Sequence, residues 1–340
     1  MSAACAIASA LAQAQAPADK SAPQPAPAER PLTALPYTPG LDLEAMDKSA
    51  DPCSDFYQYT CGGWMKKNPL PADEASWSVY GKLYDENQRF LWGILDRLAT
   101  QTEGRSAPQQ KIGDYFAACM DEGAIEKLGA KPLTLYLDRI VALKSKDELP
   151  SLLGELQLRN AGDGFFFDFG SDQDYGDATQ VIAFARAGGL GLPDRDYYLK
   201  EDDASKELRA KYLAHLQRMF ELLGDKPEAA KRQAGKVMDI EAALARATLS
   251  RVERRDPYKL YHKMDAKALQ SLTPSFAWTS YLEPVGLGQI DSFNVTQPKF
   301  YRELERQWRA LDLEDIRVYL RWHVAHANAQ YLSRAFVNAD

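Results

Sequence analysis

Residues 205–224 read Ser205-Lys-Glu-Leu-Arg-Ala-Lys-Tyr-Leu-Ala-His-Leu-Gln-Arg-Met-Phe-Glu-Leu-Leu-Gly224. Leu208, Tyr212, Leu213, Leu216, Met219, Phe220 and Leu223 recur in steps of three and four, which gathers them on one face of a helix. Gly224 tolerates the left-handed backbone that closes a helix and is the natural stop. The same period returns through the chain: Phe90, Leu91, Ile94, Leu95 and Leu98; Ile112, Tyr115, Phe116 and Cys119; Leu133, Leu137, Ile140 and Val141. It continues in Leu149, Leu152, Leu153 and Leu156, in Val237, Ile240 and Leu244, and in a last long helix lined by Leu313, Ile316, Leu320, Ala327 and Tyr331. One region departs from it. Phe165 to Phe169 and Val181 to Ala185 are β-prone runs joined by the turn-rich Ser171 to Gly176, a hairpin pattern. No fixed-period repeat and no strand–helix–strand alternation occurs. The expected fold class is mainly α, a large multi-helix domain with a small β-hairpin element.

Composition narrows the function classes. The 340 residues are 45% hydrophobic and 26% charged, ordinary globular material able to bury a sizeable core. A net charge of -7 argues against a basic nucleic-acid surface. No apolar run approaches the roughly 18 residues of a membrane span.

The N-terminal forty residues read as lying outside the fold. Residues 1–16 carry a short apolar stretch and two Ala-Gln-Ala triplets that fit signal-peptidase cleavage, although the positive n-region is truncated. Residues 17–40 hold prolines at 17, 23, 25, 27, 31, 36 and 39, a composition that resists helix and sheet and predicts a disordered linker. A folded domain is expected over 41–340, in a protein that is exported to the periplasm or secreted.

Local motifs for chemistry are sparse. Gly188-Gly189-Leu190-Gly191 follows a strand but lacks both the third glycine of a dinucleotide fingerprint and a following Lys-Ser/Thr, so it reads as a structural turn. His323 and His326 are spaced to share a helix face, but zinc needs a third ligand and none stands at a recognisable spacing. No His is followed by Glu, so the H-E-x-x-H zinc helix is absent. Asp55, Asp85, Asp96 and Asp121 read as helix caps and solvated faces, and Arg251, Arg254 and Arg255 as surface charge. Three cysteines remain after signal removal, an odd number for an exported protein. Either Cys53 pairs with Cys61 and leaves Cys119 alone, or all three have partners outside this sequence.

Four further stretches carry a family resemblance. Asp51-Pro-Cys-Ser-Asp-Phe-Tyr-Gln-Tyr-Thr-Cys-Gly-Gly-Trp64 resembles the opening signature of the neprilysin and endothelin-converting-enzyme family of zinc metallopeptidases. Tyr115-Phe-Ala-Ala-Cys-Met-Asp121, Gly189-Leu-Gly-Leu-Pro-Asp-Arg-Asp-Tyr-Tyr198 and Arg254-Arg-Asp-Pro-Tyr-Lys-Leu-Tyr261 follow in the family's order. The resemblance covers about residues 42–340.

It implies a helical N-terminal domain that caps a catalytic domain and admits short peptides to an enclosed cavity. By the same resemblance Zn2+ and its catalytic ligands belong to a C-terminal region beyond these residues, so neither a catalytic nor a metal-ligating residue is expected here. Cys53, Cys61 and Cys119 would form disulfides with cysteines further along the chain. A rough alignment sets Ser76 and Gly81 where the family carries a pocket arginine and aspartate, and neither can make those charged contacts. The implied partners are the chain's own C-terminal catalytic domain and peptide substrates. Alone, the chain is expected to be inactive. The alternative is a non-catalytic helical binding or scaffold module derived from the same fold.

Overall fold

The structure is a computed structural model and describes residues 30–37, 39–72, 74–159 and 164–340. The expected signal peptide and most of the expected linker lie outside the described residues. The chain forms two compact units, one running to Met120 and the other from Asp121 to Asp340.

The first unit is built from three helices, α1 (Phe56–Lys67), α2 (Val79–Thr100) and α3 (Ala107–Cys119). Each start is chemically marked. Asp55 accepts from the Gln58 amide, Ser78 accepts from the Gly81 amide, and Ser106 and Gln109 form a reciprocal capping box. α2 and α3 meet at Gly113, where a Cβ would run into the Leu98 carbonyl. The described end of the proline-rich segment is held in place: the Leu32 amide donates to the Arg89 carbonyl at 2.9 Å, and Arg89 Nε donates to the Arg30 carbonyl. Gly93 makes room for this, since a side chain there would strike Leu32.

The second unit holds the core. Its helices are α4 (Glu122–Leu128), α5 (Thr134–Ala142), α6 (Leu149–Leu158), α7 (Asp196–Leu199), α8 (Asp203–Leu222), α9 (Pro227–Ala247), α10 (Pro257–Leu260), α11 (Ala266–Leu272), α12 (Trp278–Leu282), α13 (Pro298–Ala310), α14 (Leu313–Asn328) and α15 (Arg334–Val337). α8 follows the expected boundaries. Asp202 caps it and Gly224, at φ +97°, ends it, with the Asp225 amide donating back to the Phe220 carbonyl. Tyr212, Leu216, Met219 and Phe220 form its buried stripe, and they pack with Val237, Ile240 and Leu244 of α9 in one core.

The hairpin is present as β1 (Phe167–Asp174) and β2 (Asp177–Ala187), antiparallel with Phe169 opposite Ala185. Its turn is shorter than expected. β3 (Lys263–Met264) and β4 (Phe293–Val295) extend it to a four-stranded sheet ordered β1-β2-β4-β3, with β4 parallel to β2. Phe165 and Phe166 precede the strand instead of belonging to it.

Two expected stripes differ in detail. In α14 the buried face runs through Ile316, Tyr319, Leu320, Trp322 and His323, while Tyr331 lies past the helix and is exposed. In α3, Ile112 and Tyr115 are exposed, as are Tyr80 and Tyr84 of α2. Among the described residues no helix is long and apolar enough to cross a membrane.

Candidate functional site

The sequence-derived site residues all fall in the first unit. Asp51 opens the signature: its carboxylate accepts from the Ser54 hydroxyl at 2.7 Å and the Cys53 amide at 3.0 Å. Those bonds, the hydroxyl first, hold its pKa below the ordinary value. Cys53 is thereby fixed in an exposed turn immediately before α1. The Gly62-Gly63 pair lets residues 44–47 cross α1 closely, because a Cβ at Gly63 would strike the Glu44 carbonyl. The Asp47 amide donates to the Tyr59 carbonyl, and Gln58 Nε2 donates to the Asp47 carboxylate at 2.8 Å. The Cys-Gly-Gly-Trp motif thus builds a helix with a strap across it.

Cys61 sits half-buried in α1 and Cys119 is exposed as the last residue of α3; Cys53, Cys61 and Cys119 are all free thiols in this structure. Ser76 is exposed in the segment before α2, and Gly81 lies in its first turn. Gly81 is packed beside the Trp77 ring, where an added Cβ would come to 3.3 Å. The two expected pocket positions therefore flank the Ser78 cap at one helix end.

In the second unit the glycine turn and the Arg-Arg-Asp-Pro segment converge on buried polar centres. Gly189, at φ +76°, faces Tyr319, whose hydroxyl donates to the Gly189 carbonyl and accepts from the Phe166 amide, both at 3.0 Å. Gly191 lies against the Tyr212 hydroxyl and Glu241. Glu241 is fully buried. It accepts from Tyr198 at 2.9 Å, from Tyr212 at 2.7 Å and from Trp322 Nε1 at 3.1 Å. Burial first, and then the Glu241 charge, push both phenols above their ordinary range, so they remain donors.

Asp194, also buried, accepts from the Asp196 amide and pairs with Arg254 at 2.6 Å and Arg251 at 3.1 Å. Burial alone would raise its pKa. The amide and the two guanidinium groups outweigh burial and hold it below the ordinary value. Arg251 and Arg254 are therefore ion-pair partners of a buried carboxylate, a role the surface-charge reading missed. The glycine turn is a packed structural element, as its sequence indicated. Asn294, in a glycosylation-like triplet, is buried in β4 and accepts from the His262 amide.

The histidines separate. His323 is buried, with Nε2 at 3.4 Å from Glu241 and its ring centroid 4.4 Å from that of Tyr319. His326 is partly exposed beside His215 and Asp340. The two thus do not form the shared face that their spacing allows. Glu241 and the His215–His326–Asp340 group escaped sequence reading because their partners come from α7, α8, α9, α14 and the segment after α15. A half-open cavity of about 290 Å³ lies among Lys146, Asp147, Leu149, Ser275, Phe276, Trp308 and Arg309. Lys146 is engaged there, donating to the Trp308 carbonyl at 2.8 Å.

Comparison with known proteins gives a consistent picture. The profile described as "Peptidase family M13" matches residues 52–340. Endothelin-converting enzyme 1 of Rattus norvegicus is 31% identical over 308 residues, covering 88% of this chain and 40% of that protein. The Homo sapiens enzyme is 32% identical, with 88% and 39% covered. The crystal structure of the Mycobacterium tuberculosis zinc metalloprotease ZMP1 in complex with inhibitor superimposes with a TM-score of 0.78 at 29% identity, covering 90% of this chain and 46% of that one. The chain thus spans less than half the length of the relatives it matches.

Proposed function

This chain belongs to peptidase family M13, and from that membership we propose that it is the N-terminal portion of an exported zinc metalloendopeptidase of short peptides. In this reading the chain forms the helical cap that restricts access to the active-site cavity. The observation that carries it is the pairing of a family match over 52–340 with coverage of only 40% of the rat relative.

The catalytic Zn2+ of this reading is assigned to the C-terminal portion. His323 and His262 do not fit that role. His323 is buried against Glu241, and His262 is held in the segment that pairs with β4. No H-E-x-x-H helix is present in the sequence. The ion would supply an activated water there, and no step of peptide hydrolysis is assigned to residues of this chain.

The first unit supports a covering partner. Phe56, Tyr57, Tyr80, Tyr84 and Tyr115 are each at least two-thirds exposed. Large apolar rings left open to solvent on all three helices are the kind of surface a partner covers. We assign that cover to the chain's own catalytic domain, with Cys53, Cys61 and Cys119 cross-linked to it. Ser76 and Gly81 take the substrate-pocket positions, where neither can make the family's charged contacts with the peptide.

The test is reconstitution. The chain alone should not cleave a panel of short fluorogenic peptides. Fusion to the C-terminal portion should give hydrolysis that a chelator abolishes and zinc restores. Chelator-sensitive cleavage by the chain alone, lost in His323→Ala, would overturn the assignment. A fusion that folds, binds zinc and cleaves nothing would favour the scaffold alternative.

A further inference from the structure

Beyond the peptidase reading, one cluster has ligand chemistry of its own. α8 brings His215 and α14 brings His326 to the turn that follows α15, where Asp340 lies. One ligand atom from each residue lies within 4.8 Å of the other two. His326 Nδ1 is 3.1 Å from Asp340 Oδ1, and His215 Nε2 is 4.0 Å from the same oxygen.

Two features prepare the imidazoles. His215 Nδ1 lies 2.6 Å from the Ala339 carbonyl. A carbonyl only accepts, so this nitrogen carries the proton and Nε2 keeps its lone pair toward Asp340. A backbone partner on the far nitrogen is the usual means of fixing a metal-binding histidine in its tautomer. Trp322 supplies the second feature. Its ring stacks on His326 at 4.8 Å and 18°, and meets His215 edge-on at 5.4 Å. Trp322 is itself fully buried, so one immobile ring supports both ligands.

We propose that His215, His326 and Asp340 form a three-ligand site for a borderline divalent transition-metal ion, zinc or its near neighbours. Two imidazoles and a carboxylate suit such an ion better than magnesium or calcium, which take all-oxygen shells. Tetrahedral zinc, with bonds of roughly 2.0–2.2 Å, needs ligand atoms about 3.3 Å apart. The cluster closes to that size by movements of about 1.5 Å, within a rotamer adjustment of partly exposed side chains. The bound ion would tie α8, α14 and the segment after α15 together.

The probe is Zn2+ alone, titrated into the full chain after chelator treatment and alkylation of its thiols, which otherwise compete. One ion should bind per chain. His215→Ala and His326→Ala should each weaken binding at least tenfold, and Asp340→Asn at least threefold. His326→Gln keeps a donor to Asp340 and should fold like the parent, judged by circular dichroism, yet lose zinc. Cobalt substitution should give visible d–d bands without thiolate charge transfer. Zinc affinity unchanged in His326→Gln, or no binding by the alkylated chain at 100-micromolar zinc (about 10⁻⁴ M, a weak-site limit), would overturn the proposal.

Discussion

Replacing Tyr319 by Phe removes one oxygen atom and leaves a stack intact, so it isolates a single polar contribution. The Tyr319 ring lies 4.2 Å from that of Phe166 at 26°, and Phe keeps that contact. Two buried backbone groups are stranded: the Phe166 amide and the Gly189 carbonyl, each 3.0 Å from the lost hydroxyl. An unsatisfied buried group costs about 1–3 kcal/mol, so the pair costs about 2–6 kcal/mol. The void of one oxygen is too small for a water to repair the loss. Phe166 adds to the strain, since its φ of +55° is a conformation that bulky residues avoid. Tyr301→Phe is the control: among the described residues its hydroxyl serves a single acceptor, the Arg186 carbonyl at 3.1 Å. Its loss should cost about half as much, about 1–3 kcal/mol. Urea unfolding gives the totals. Hydrogen exchange over peptides covering residues 164–192 gives the local effect, at least about 30-fold faster in Tyr319→Phe, since 1.4 kcal/mol is tenfold. A Tyr319→Phe variant within about 0.5 kcal/mol of the parent would refute the claim that this hydroxyl pins the glycine turn.

Two glycines in helix interiors should respond oppositely to alanine: Gly113→Ala, whose Cβ meets the Leu98 carbonyl, should lose about 1–2 kcal/mol, whereas Gly235→Ala, with open space around it, should gain up to about 1 kcal/mol, read as melting temperatures. Asp194 has a folded-state pKa below its ordinary 3.8, so its contribution is complete above about pH 4 and fades as pH falls through the folded value. Asp194→Asn should therefore lower stability at neutral pH and flatten the acid limb of the stability–pH curve; an unchanged acid limb would remove Asp194 from the explanation. Maleimide labelling of the chain followed by mass spectrometry should modify exposed Cys53 and Cys119 before half-buried Cys61, and equal rates would contradict the packing of α1.

Helices were legible wherever an apolar stripe coincided with a marked end, as in α8 with Asp202 and Gly224. What a stripe faces was not. Ile112 and Tyr115 have the spacing of a core face, yet that face is exposed, because periodicity reports segregation of side chains and not the presence of a partner. β3 and β4 span two and three residues, too few to display alternation, and they form only because the hairpin offers an edge. Glu241 follows Ile240 and precedes two alanines, where a carboxylate reads as solvent-facing. Its burial depends on donors at positions 198, 212 and 322, which no local window contains. The cysteine signature was the most legible feature, since Asp51, Asp55 and the glycine pair each have a local geometric task.

The sparse interior of the first unit has a consequence for the timing of folding. Its three helices bury Leu98 and two glycines, whereas the second unit assembles dozens of enclosed apolar side chains. A ribosome releases the first 120 residues before the rest, at about 5–20 residues per second. The earliest part of the polypeptide therefore emerges with the least to condense around. The 220 residues of the second unit then take roughly 10–45 seconds to follow, and through that wait the first unit has only its own small interior to hold its helices together. Chaperone capture during that wait should fall on residues 56–119.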